Sequence, residues 1–232
     1  MKKLIAILLL FALTLAVAGC ASELTEPKDT PVRVATLSRG HANANVPKSL
    51  EEAIKRADLI VDLTITEWLG EDLEGRTTFF NARINETIMG EKKESITLMQ
   101  TGTGEFTLWD WPLFKNGDRL FLFLVEILPE DAERLDKIYA GGYWVVGSYT
   151  TVFDVQELDE NIYLLSRFGF MDTWPEKNYI EETDENITRV LVENFNKSDP
   201  IVAEVRGVHR SAYSYESFEK VIAEILKEVE RQ

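Results

Sequence analysis

From Leu59 onward apolar and polar residues alternate, with Leu59, Val61, Leu63 and Ile65 on one face and Asp62, Thr64 and Thr66 on the other. A period of two is the pleat of a strand with one face in a core. The stretch Gly70 to Gly75, GEDLEG, predicts a turn. Arg76 to Ile88 then resumes the alternation, with Phe80, Ala82, Ile84 and Ile88 inward and Asn81, Arg83, Asn85 and Thr87 outward. Gly90 and the charged run EKKE turn the chain again, and Ile96 to Thr101 predicts a third strand with Ile96 and Leu98 buried. After a Lys115-Asn116-Gly117-Asp118 turn, the run RLFLFLVEI from Arg119 to Ile127 is apolar at nearly every position. Both of its faces must be covered, which makes it the central strand. Gly141 to Val146, Tyr149 to Val155 and Ile162 to Leu165 predict three more strands.

Helical signals flank this β region. Ser49-Leu50-Glu51-Glu52 has the form of a capping box, with the Ser49 hydroxyl accepting from the Glu52 amide and the Glu52 carboxylate reaching back. A short helix to Ala57 follows, with Leu50, Ala53 and Ile54 on one side. From Asp184 a helix capped by Thr183 would align Ile187, Val190, Leu191 and Phe195, although the alternation in ITRVLV leaves a strand open. Asn196 to Pro200 breaks the pattern and a linker follows. From Tyr215 to Val229, Phe218, Val221, Ile222, Ile225, Leu226 and Val229 fall on one helical stripe, with Ser214 as N-cap. The opposite face is acidic, so this stripe is expected to pack on the protein and not on a membrane surface.

The first twenty residues have a different logic. Lys2 and Lys3 precede an apolar run of fourteen residues, Leu4 to Val17, and Ala18 and Gly19 lead into Cys20. That run is short for a bilayer span, which needs about 20 apolar residues. The ending Val17-Ala18-Gly19-Cys20 resembles the lipobox of prokaryotic lipoproteins. The resemblance implies a signal peptide over 1–19, a lipidated Cys20 and attachment to the extracytoplasmic side of a cell membrane. Residues 20–46 are polar, carry two prolines and lack an apolar period, so they read as a tether. A short strand from Val32 to Leu37 is the alternative there.

A capped helix, paired strands and the phrase F-K-N-G-D-R-L-F-L-F-L together resemble the small OB-like barrels of the netrin-module kind and surface lipoproteins of Gram-positive bacteria. The expected fold class is mainly β (α+β), an OB-like β-barrel over 47–166. A short capped helix would precede the barrel, and a C-terminal extension over 167–232 would pack an amphipathic helix on it. The chain lacks the disulfides of animal netrin modules. Cys20 is the only cysteine, so with a lipid on it no disulfide, thiolate nucleophile or thiolate metal ligand is left.

Charge narrows the partners. The chain carries a net charge of −15, and loss of Lys2 and Lys3 makes it −17. So acidic a surface repels nucleic acid and anionic membrane faces. The expected partners are the membrane through the lipid anchor and an envelope protein, peptide or glycan, with no nucleic acid.

Candidate chemistry is sparse. The sequence has no G-x-S-x-G elbow, H-E-x-x-H, Walker A loop or EF-hand loop. Its two histidines, His41 and His209, lack a nucleophile in context. Thr101-Gly102-Thr103-Gly104 lacks the lysine of a phosphate cradle and reads as a hairpin. The acidic turns Glu71, Asp72, Glu74 and Glu157, Asp159, Glu160 lack calcium-ligand spacing and read as solvated. No catalytic residue, metal site or cofactor other than the covalent lipid on Cys20 is expected. The ligand-binding candidates are Trp109, Asp110 and Trp111 with Tyr143 and Trp144, since exposed rings beside a carboxylate combine stacking with hydrogen bonding. Against this stands the packing reading, in which one ring of each pair plugs the barrel end. The expected function is a lipid-anchored binding or interaction module. The alternatives are a surface hydrolase with a carboxylate pair flanking a cleft and a purely structural envelope lipoprotein.

Overall fold

The computed structural model describes residues 46–106, 112–127, 141–147, 150–168, 180–198, 210–229 and 231. Helix α1 (Leu50–Arg56) leads into strands β1 (Leu59–Asp72), β2 (Thr77–Met89), β3 (Ser95–Thr101), β4 (Arg119–Glu126), β5 (Gly142–Val145), β6 (Val152–Leu158) and β7 (Asn161–Ser166). Helix α2 (Glu185–Ser198), strand β8 (Ala212–Ser214) and helix α3 (Tyr215–Val229) complete the order. The strands form one sheet in the order β1-β2-β3-β5-β4-β6-β7-β8, and an additional β1–β4 pairing closes the first five into a barrel. The β3–β5 pair is parallel and the rest are antiparallel. This is the OB-like barrel with a C-terminal helix. The sheet then continues past the barrel through β6, β7 and β8.

Strand β4 holds the two parts together. Along one edge it pairs with β1 from Leu59↔Leu124 to Thr64↔Arg119. Its other edge is shared: Leu120 to Leu122 pair with β6, and Leu124 to Glu126 pair with β5. Its residues from Leu120 to Leu124 have no exposed surface. Leu120, Leu122 and Leu124 point into the barrel core, while Phe121 and Phe123 join a second core with α1 and α3. At about 1.5–3 kcal/mol for each large side chain taken out of water, this strand concentrates more burial per residue than an alternating one could.

The second core is aromatic at its centre. The Phe218 ring of α3 lies 5.5 Å from Phe121, 6.4 Å from Phe123, 5.1 Å from Phe153 and 5.8 Å from Tyr213, all near edge-to-face. Rings prefer that arrangement because the positive edge of one meets the negative face of another. Helix α2 covers the opposite side, sending Leu191 and Phe195 into the barrel-side core. The sheet beyond the barrel is thus sandwiched between α2 and the α1/α3 layer.

Several local features differ from the sequence expectation. Bulges between Ile60 and Val61 and between Asp62 and Leu63 shift the β1–β2 register, so Ile88 packs with the second core and not inside the barrel. Strand β1 runs on to Asp72, which shortens the predicted GEDLEG turn. Asp184, not Thr183, caps α2: its carboxylate accepts from the Asn186 amide at 2.8 Å. Residues 185–198 are helix and not strand. In α1 the Ser49 hydroxyl accepts from the Glu52 amide at 3.1 Å, but the Glu52 carboxylate reaches the Lys48 amide, one residue before the cap. Strand β8 falls in the predicted linker and pairs with β7.

Two glycines are fixed by close approach. Gly90 has φ +99°, and a Cβ there would lie 2.4 Å from the Asp58 carbonyl oxygen. Gly147 has φ +68°, and a Cβ there would lie 2.4 Å from Cδ of the buried Pro47. Pro47 therefore seats the start of the described chain on the turn after β5. No helix among the described residues is long and apolar enough to cross a membrane.

Phe218→Ala should lower the unfolding free energy by about 3–5 kcal/mol in a urea titration, because it empties the centre of the second core. A loss under about 1 kcal/mol, the typical cost of an ordinary substitution, would show that the aromatic cluster does not hold α3 in place.

Candidate functional site

On the barrel strands the side chains next to the core residues point outward. Phe80 and Leu98 fill the barrel, and their neighbours Phe79 and Met99 form a separate cluster with Ile127 and Trp144. The strand registers place these in line: Phe79 opposite Met99, Met99 opposite Trp144, and Trp144 opposite Val125. An apolar row thus crosses the outside of β2, β3, β5 and β4. Phe79 and Met99 are buried, Trp144 is half-buried, and Val125 is 36% exposed. The accessible part of the row is its Trp144–Val125 end.

Tyr143 takes the opposite direction. It is buried in the barrel core, so of the two adjacent rings it is the plug, and its face is not offered to a ligand. The Lys93 ammonium lies 5.5 Å from its ring centre. Burial pushes the Tyr143 hydroxyl above the usual phenol range, and its hydrogen bond to Lys93 holds that ammonium above the usual lysine value. Trp109, Asp110 and Trp111 lie outside the described residues, as do Cys20, His41 and His209. Of the two candidates that are described, Trp144 is the ring on the outside of the barrel.

A polar cleft of roughly 470 Å³ opens beside the start of β4, between Lys115 to Arg119, Asp154 to Glu157 and the end of α2 at Asn194, Phe195 and Ser198. Two of its carboxylates share a buried cation: Asp118 lies 2.8 Å and Asp154 3.5 Å from Nη1 of Arg167, whose side chain is 1% exposed. The Arg167 guanidinium also lies 5.4 Å from the Phe114 ring and 6.0 Å from Phe195, while Arg210 stacks on Phe195 at 5.1 Å. A buried guanidinium is costly unless charges and rings surround it. Asp118 and Asp154 are thus both engaged with the Arg167 guanidinium. Asp118 also accepts from the Lys115 amide at 3.1 Å, which closes the turn into β4.

A second ion pair lies on the outer side of the β1–β4 seam. The buried Asp62 carboxylate accepts from Arg119 Nε at 3.1 Å and Nη2 at 2.8 Å, and from Asn85 Nδ2 at 2.8 Å. Arg119 reaches on to Glu157 at 2.9 Å. The bond to Asp62 holds the Arg119 guanidinium above its ordinary value. Nearby, the Tyr215 hydroxyl donates to Glu86 at 3.1 Å. Burial raises that phenol strongly, with the charges of Asp62 and Glu86 adding to the effect. Burial, then Glu86 and Glu216, also raise the Glu219 carboxyl.

The acidic turns have local tasks. Asp72 accepts from the amides of Glu74 and Gly75 at 3.0 and 3.1 Å, and Glu71 accepts from the Gly104 amide at 2.8 Å. Among the described residues no group of His, Cys, Asp and Glu is arranged to hold a metal ion. No protein-family model matches the chain, and no curated protein matches its sequence.

Arg119→Met should destabilise the protein towards the lower end of ~3–5 kcal/mol, because it strands a buried carboxylate while Arg119 itself is partly solvated. Asp62→Leu combined with Arg119→Met should recover most of that loss in the same urea titration; failure to recover would show that the pair does more than balance charge. For Glu219, the folded-state value lies above the ordinary 4.5, so its contribution to stability is present at low pH and lost as pH rises through the folded value. Glu219→Gln should accordingly stabilise the protein by a few tenths of a kcal/mol at neutral pH. Thermal melts should show that gain vanishing near pH 4.

Proposed function

We propose that the chain is a lipid-anchored binding module, held by Cys20 on the extracytoplasmic side of a cell membrane and presenting its barrel to a protein, peptide or glycan of the envelope. The observation that carries the reading is Trp144, half-buried at the accessible end of an apolar row on the outside of a closed barrel. A core would have taken that ring inside, as it takes Tyr143. Large amphipathic rings set in an apolar surround are the usual anchors of binding surfaces. By analogy of fold alone, OB barrels use the face of their second and third strands for ligands, and the row crosses the corresponding β2 and β3. The lipobox-like ending at Cys20 supports the anchor, and the polar stretch after it supports a tether. The arrangement of Asp118 and Asp154 around Arg167 favours this reading over hydrolysis.

The test uses the full chain recovered from membranes in neutral detergent. Capture of an envelope component that Trp144→Ala loses, with unchanged melting temperature, is the expected result. Equal capture by both proteins would sink Trp144 as the contact. Metabolic labelling with palmitate should mark the wild type and not Cys20→Ala, and a label retained by the variant would remove the anchor.

A further inference from the structure

Leu73 is 61% exposed and Leu69 46%, the two largest exposures among large apolar side chains of the described residues. Both sit at the tip of the β1–β2 hairpin. Leu69 is there by construction: the register passes from Trp68↔Phe80 to Gly70↔Phe79, leaving Leu69 unmatched on β2. Such a bulge re-aims a side chain off the ladder.

The tip is braced. Glu71 accepts from the Gly104 amide at 2.8 Å, the Gly102 amide donates to the Arg76 carbonyl at 2.6 Å, and the Arg76 guanidinium lies 4.4 Å from the Phe106 ring centre. Inside the turn Asp72 holds two backbone amides. The leucines are therefore presented on a fixed support, which lowers the ordering cost of a contact. Next to them in the chain are Glu67, Glu71, Asp72 and Glu74. Arg76, the basic residue of the tip, is engaged with Phe106.

We propose that this tip is a docking surface for a protein segment that carries an apolar side chain flanked by lysine or arginine. The inference rests on the reading of the chain as a binding module and names the chemistry of its partner; Trp144, on β5, lies two strands from the hairpin by either route round the barrel. Two leucines supply the surface that is removed from water, and the carboxylates select the charge of what covers it. The same carboxylates repel an anionic bilayer. They also repel the tip of a second copy, since the chain as a whole is at −15.

The probe is a dye-labelled peptide of alternating lysine and leucine, titrated against the full chain in neutral detergent by fluorescence anisotropy. Leu69→Ser/Leu73→Ser should weaken binding about tenfold or more. Glu67→Gln/Glu74→Gln should weaken it several-fold and flatten its salt dependence, as expected when charge selects the partner. Near-ultraviolet circular dichroism checks that the variants keep their packing. Equal binding by the leucine variant overturns the proposal, as does equal binding of a glutamate-leucine peptide. Leucine-dependent retention of the wild type on phosphatidylcholine vesicles, or leucine-dependent dimerisation in sedimentation, overturns it in favour of those occupants. If the full chain captures an envelope partner that Leu69→Ser/Leu73→Ser also captures, this inference alone fails. If the wild type captures nothing and the peptide does not bind, the binding-module reading fails with it.

Discussion

A strand that is apolar on both faces cannot stand at the edge of anything. It must be paired along both edges and covered on both sides, and β4 meets all four demands at once. The leucine side builds the barrel, and the phenylalanine side calls for the helices α1 and α3. Because the second edge of β4 is divided between β5 and β6, the same strand closes the barrel and starts the sheet that leaves it. The β-rich part and the C-terminal helices are thus two answers to a single packing requirement.

That division also fixes what the outside of the barrel can do. Where β4 meets β6, the outer face is roofed by helices and has no free surface to offer. Beyond Leu124 the strand turns to β5, and there Val125 and Trp144 come to the surface. The polar cleft belongs to a different regime. Of the charges that line it, Arg119 is bonded to Asp62 and Glu157, and Asp118 and Asp154 face Arg167. A ligand entering there would have to compete with pairs already formed.

Much of the fold was readable in the sequence, for physical reasons that also mark the limit. The period-two pattern of β1 and the unbroken apolar run of β4 report one-sided and two-sided burial directly. Nothing comparable encodes the parallel β3–β5 pairing, which depends on a connection and not on a local pattern. Strand β8 has three residues, too few for any period to register. The Thr183-Asp184 pair offers two adjacent caps of the same type, and only the geometry selects the aspartate. At the site, alternation says that Tyr143 and Trp144 face opposite ways but not which one faces in; the four-residue strand has no flanking pattern to decide it. Arg167, Asp118 and Asp154 come from separate segments of the chain, so no spacing could have announced their cluster. The outward turn of Leu69 at the β1–β2 tip leaves no mark in the sequence, because a bulge is a property of two strands together.

The seat of Pro47 on Gly147 bears on mechanics. Tension along the chain ahead of residue 46 would not peel the barrel open from a loose end. It would enter where Pro47 abuts the turn after β5, pass along α1, and reach β1 at Leu59, where the Asp58 amide is bonded to the Leu124 carbonyl at 2.8 Å. From there the chain continues into the six registered residue pairs of the β1–β4 ladder. A force applied at that end would thus first meet the strand pair that includes β4, on which both cores depend.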